Sequence, residues 1–140
     1  MLFLGRAHTG GDLHVYLPKE KILFMSEAYL NRIFPAMRSA FPSEWVAKIE
    51  KARQMDVATF VPGHGFVESP AILKEELETY RRAVQQVIAE GRRLHAAGVA
   101  IDEAVKQASF GGLEGWTIRA SQGPIAIRRI YLELDGKLPR

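Results

Sequence analysis

Two short stretches decide how this chain is read: Ala7-His8-Thr9-Gly10-Gly11-Asp12 and Pro62-Gly63-His64-Gly65. Each sets a histidine in a glycine-rich turn beside a short apolar run. Such a turn places the histidine at the end of a strand, where its imidazole can face a shared cleft. Between the two, Leu23-Phe24-Met25-Ser26-Glu27 reads as a strand that ends on a carboxylate. A lone histidine beside glycines more often bonds a nearby carbonyl than a metal, given the many roles histidine fills. Two such turns in one chain, with a carboxylate between them, shift the balance. His8, Glu27 and His64 are the candidate metal ligands.

Outward from these turns, the chain divides into a β-rich part and a helical part. Residues 1–8 read as a strand running into a loop. Leu13–Leu17 and Ile22–Met25 flank the polar turn Pro18-Lys19-Glu20-Lys21, which predicts a hairpin. Ser43, just after Pro42, is a natural N-cap, and Trp45, Val46, Ile49 and Ala52 then recur at helical spacing, predicting a helix over 43–54. Val57–Val61 is a β-branched run ended by Pro62, a buried strand that delivers His64.

Ser69-Pro70 should start the longest helix, with Leu73, Leu77, Tyr80, Val84 and Val87 as its apolar stripe and Gly91 weakening its last turns. Gly98 is a stop, Ile101–Ala108 a short helix, and Gly111-Gly112 a loop. Gly123-Pro124 should open a last helix with Ile127, Ile130, Tyr131 and Leu134 facing inward. Trp45 and Trp116 are expected to anchor packing. The order of hairpin, helix, strand and then helices predicts an α+β or layered α/β fold.

The composition narrows the function. With 140 residues, 47% hydrophobic and 25% charged, the chain suits one domain with a modest core: residues 1–67 carry the motifs and 68–140 the helices. The absence of cysteine excludes disulfides, thiolate zinc sites and thiol catalysis. A metal would have to be held by His, Asp or Glu. The net charge of +3 fits a solvated surface better than a nucleic-acid interface. No apolar run is long enough for a bilayer. Gly5-Arg6 cuts short the apolar Met1–Leu4 before it resembles an export signal, so a cytoplasmic location is expected.

The motif set resembles the metallo-β-lactamase superfamily of zinc-dependent hydrolases. That family shows a His-Thr-x-Gly turn, a hairpin whose second strand ends in Phe-x-Gly-Asp, and a later strand ending in Pro-Gly-His-Gly. The counterparts here are His8-Thr9-Gly10-Gly11, the run from Leu17 to Phe24 followed by Met25-Ser26-Glu27, and Pro62-Gly63-His64-Gly65, in matching order and spacing. The resemblance covers residues 1 to about 67. It implies an αββα sandwich, of which this chain is the C-terminal half. It also implies zinc, two ions in a complete site, with His8 on one, His64 on the other and Glu27 bridging. The implied chemistry is attack by a metal-bound hydroxide on an ester, thioester, lactone or lactam carbonyl.

There are two departures. The family's His-x-His-x-Asp-His ligand run is absent, and the only other histidines, His14 and His95, lie in no such run. Ser26-Glu27 stands where the family has Gly-Asp. Each metal would then have at most two ligands from this chain, whereas a catalytic zinc takes about three plus a water. The chain alone is expected to bind zinc weakly or not at all and to be inactive. A homodimer or a separate N-terminal half would complete it.

Other residues rank lower. Arg6, Tyr29 and Arg32 are candidates for lining a substrate pocket, Asp12 is expected to shape its turn, and His14 to be packed or exposed within a strand. The alternatives to a hydrolase are a non-catalytic dimerisation or partner-binding module that keeps the fold and, third, a nucleic-acid-binding piece. A small-molecule substrate is expected if the site is active, with no membrane partner.

Overall fold

The computed structural model describes residues 1–65, 67 and 72–139. The hairpin forms as anticipated. Strand β1 (Val15–Leu17) pairs antiparallel with β2 (Ile22–Phe24), Tyr16 opposite Leu23. Helix α1 (Pro42–Arg53) carries the chain across to β3 (Thr59–Val61), which lies parallel to β2 with Leu23 opposite Phe60. The sheet order is β1-β2-β3. Helices α2 (Lys74–Ala96), α3 (Ile101–Gln107) and α4 (Arg119–Leu134) follow, giving a mixed α/β, α+β architecture.

The alternation of side chains along a strand explains the sheet's two faces. Leu23 and Phe60 point into the core, where Trp45, Ile49, Tyr80, Val84, Ile127 and Ile130 also lie. The opposite face leaves Val15, Leu17 and Phe24 exposed. Residues 1–8 do not make a strand; only Leu2 joins the sheet, through a single bridge to His14. Four positive-φ residues among the first thirty-two, Gly5, Lys21, Ser26 and Arg32, interrupt extended runs there.

Several helix ends fall elsewhere than the sequence suggests. Phe41, not Ser43, is the N-cap of α1, because Pro42 takes the first helical position, where its missing N–H costs nothing. Ser43 instead donates its hydroxyl to Glu133. Ser69 and Pro70 lie outside the described residues; α2 begins at Lys74 after an extended Leu73, which is exposed rather than part of the stripe. Helix α4 begins at Arg119, so Pro124 falls inside it, and Leu134 faces solvent. Gly98, at φ +70°, does stop α2. Among the described residues no helix is long and apolar enough to cross a membrane.

Gly91 is a packing residue and not a weak point. It is buried where α2 meets α4, and a Cβ there would lie 2.7 Å from Ile130 Cγ2. Gly91→Ala is expected to lower stability by about 1–3 kcal/mol through overpacking, despite alanine's better helix propensity. Urea denaturation checks this, and an alanine variant as stable as the parent would show that Ile130 can retreat.

Candidate functional site

Three segments converge at the ends of β2 and β3. After β2, Ser26–Ala28 form a single 3-10 turn that carries Glu27. The ladder between β2 and β3 continues past both strands. Met25 N–H donates to Val61 O at 2.8 Å, Gly63 N–H to Tyr29 O at 2.9 Å, and Asn31 N–H to His64 O at 3.0 Å. This stitching sets His64 beside the Glu27 turn.

The glycines of Pro-Gly-His-Gly exist for that contact. A Cβ on Gly63 would sit 2.5 Å from the Ser26 carbonyl oxygen, and one on Gly65 would sit 2.3 Å from that of Asn31. Gly65 also has φ +94°. Ser26, where the resembling family has glycine, takes φ +53°, a left-handed backbone that a serine adopts at a cost.

The His8 turn approaches from the other side. Phe41 N–H, at the start of α1, donates to Ala7 O at 2.8 Å. Asp12 closes the turn as the sequence suggested: it accepts from Thr9 N–H at 3.0 Å and from the Thr9 hydroxyl at 2.5 Å. Lys48 of α1 donates to the Asp12 carboxylate at 3.2 Å, both side chains being buried. Against the opposing pull of burial, the Thr9 bonds and then the Lys48 ammonium hold the Asp12 carboxyl below its ordinary range.

The structure brings all three candidate ligands together around Glu27. His64 Nε2 lies 2.6 Å from Glu27 Oε1, and His8 Nε2 lies 3.8 Å from Glu27 Oε2. The first is a short hydrogen bond and the second an ion-pair distance without one. His64 stands in solvent, its side chain 61% exposed, while His8 is 24% exposed and sets its ring edge-on to Trp45. His8 Nδ1 is buried with no hydrogen-bond partner.

In kind, two imidazoles and a carboxylate suit zinc. In number they match one catalytic zinc but fall short of two, and among the described residues no three His, Cys, Asp or Glu are disposed as they stand to hold a metal ion.

The remaining candidates are otherwise engaged. Arg6 forks onto Glu44 and lies over the Phe41 ring. Arg32 reaches Glu76 of α2 at 3.2 Å. Tyr29 is fully buried against Tyr80, so it lines the core and not a cleft. His14 is fully buried.

Two residues that hold the site drew no functional reading from the sequence: Lys48, and Trp45 beyond its expected packing role. Lys48 falls on the apolar stripe of α1, three residues after Trp45 and one before Ile49, and a lysine in that position signals a buried partner.

No protein-family model and no curated protein matches the chain. Among solved structures, DIM-1 metallo-β-lactamase, crystallised after exposure to ceftazidime, is similar at 22% identity over 58% of this chain and 39% of its own, with a TM-score of 0.48. VMB-1 is similar at 33% identity over 55% of this chain and 37% of its own, with a TM-score of 0.45. The chain thus spans under two-fifths of the length of either.

Proposed function

We propose that this chain supplies the His8–Glu27–His64 side of a metallo-β-lactamase-like, zinc-dependent hydrolase, completed by ligands from a second copy of the chain or a separate N-terminal half. One observation carries the reading. Residues 8, 27 and 64, chosen from sequence motifs, meet at one carboxylate, with an imidazole at 2.6 Å from one oxygen and another at 3.8 Å from the other. Zinc bound there would supply Lewis acidity toward a carbonyl oxygen and bring the pKa of a water to about 7.

The chain's own residues hold the ligand set in place. Glu27 faces both histidines, and the ladder beyond β3 keeps His64 at its carboxylate. The substrate class is an ester, thioester, lactone or lactam. The exposed apolar sheet face at Val15, Leu17 and Phe24 supports a partner layer, as a sandwich requires, and a second copy of the chain is the simplest one.

Glu27 faces both histidines, so its loss should be the most damaging. Glu27→Ala and His64→Ala are each expected to weaken zinc by more than the roughly 10–100-fold that even outer-shell changes cost. Elemental mass spectrometry of purified protein, paired with mass in solution, checks both claims. Zinc content untouched by either substitution would sink the ligand assignment, and a monodisperse monomer would count against the second copy.

The non-catalytic module is the second reading. It is favoured by the ligand count, since no complete metal site stands among the described residues. Protein that stays metal-free after incubation with zinc and still dimerises would support it.

A further inference from the structure

We propose that α1 is the positioning element of the site: Lys48, acting through Asp12, and Trp45, acting through Ala28, together set where His8 stands relative to Glu27. This rests on the ligand reading above for its purpose, although the placement of His8 can be tested without any metal.

The two residues are three apart on one helix, so they share a face. Trp45 Nε1–H donates to the carbonyl of Ala28 at 2.9 Å, one residue after Glu27, and its ring makes a T-shaped contact with His8, centroids 5.9 Å apart. Lys48 Nζ reaches Asp12 twice, at 3.2 Å to the carboxylate and 3.3 Å to the backbone carbonyl. Asp12 in turn holds the amide and hydroxyl of Thr9, the residue after His8.

Bonds therefore link the residue after His8 through Asp12 to Lys48, and the backbone of α1 carries the connection from Lys48 to Trp45, which bonds the Glu27 turn. It is needed because no hydrogen bond fixes His8 itself: Nδ1 is unpartnered and Nε2 is 3.8 Å from Glu27. Metal-ligand imidazoles are ordinarily oriented by a bond from their second nitrogen. Here the backbone turn and the T-shaped contact with the indole take that role. The ammonium is fully buried, so it serves no substrate.

Lys48→Met removes the charge and keeps much of the stem. Nuclear Overhauser contacts between the His8 ring and the Trp45 indole, read on metal-free protein, are expected to vanish. Those between Trp45 and Tyr80, whose centroids lie 6.4 Å apart, should persist in the same spectrum. A merely structural role would weaken both sets together or neither. If Lys48→Met does not fold, the double variant D12N/K48M, which leaves no unpaired buried charge, and Thr9→Val, which removes the hydroxyl's bond to Asp12 together with the one it accepts from the Gly11 amide, give the same readout.

Retained His8–Trp45 contacts in any folded member of this set overturn the proposal. Zinc titrations then separate the two ideas. Where the parent binds zinc, Lys48→Met should weaken it by about 10-fold or more, the usual cost of an outer-shell change. A parent whose His8 and His64 resonances ignore zinc defeats the ligand reading, and the clamp is then judged by the ring contacts alone.

Discussion

Gly65→Ala is expected to cost this chain about 3 kcal/mol or more, from overpacking and backbone strain together. The added methyl would stand 2.3 Å from the carbonyl oxygen of Asn31 and 3.1 Å from its carbon. Backbone cannot swing aside as a side-chain tip can, and Asn31 is tied to the same loop by its bond to His64 O. At φ +94°, Gly65 also occupies a region that an alanine enters only under strain.

Gly63→Ala meets Ser26 O at 2.5 Å without the positive φ, so its expected loss is smaller, about 1–3 kcal/mol. The glycines of the other motif are the control. A Cβ on Gly10 would touch Phe41 at an ordinary 3.5 Å, and one on Gly11 would meet nothing within 4 Å. Neither has a positive φ. Denaturation midpoints for the four alanine variants should rank Gly65, Gly63, then Gly10 and Gly11 near the parent. Four equal losses would show that the His64 loop is not pressed against the Glu27 turn.

Acid should destabilise the chain through His14. Burial, and then the Lys48 charge, push this imidazole down to about 4 from the ordinary 6.5. Its folded value lies below its unfolded one, so between those two pH values the unfolded chain binds more protons. Above 6.5 His14 exacts no penalty; stability then falls as pH drops through the window and levels off below about 4. At about 1.4 kcal/mol per pH unit, the whole loss amounts to about 3 kcal/mol.

Asp12 and Lys48 stand around the same pocket without blurring the window. Asp12 is held below its ordinary 3.8 and so titrates beneath it. Lys48 is lowered by burial, against the opposing pull of its ion pair with Asp12. His14→Leu should remove most of the slope between pH 6.5 and 4. Urea denaturation at several pH values in parent and variant checks this. Parallel curves would mean that His14 is protonated, or hydrated, in the folded chain.

By itself, the sequence determined the hairpin, the helix–strand passage that follows it, and the helical remainder. It also marked His8, Glu27 and His64 as one group. These readings rest on local physics: alternation and turn residues, apolar spacing, and the need for a glycine where the chain bends sharply. Element ends were less legible. Pro42 displaced Ser43 as the start of α1, and Arg119 rather than Gly123 opens α4, because a cap depends on which neighbouring groups are free to be satisfied.

Only the tertiary structure decided what holds the site. Gly91 looked like a flaw in α2 until Ile130 was found against it. Lys48 drew no reading from the sequence, and the fold buries it on Asp12. Tyr29 follows Glu27 closely in the chain yet turns into the core. Each outcome depends on a residue many positions away. Periodicity says which face of an element is apolar, but not which partner will meet it.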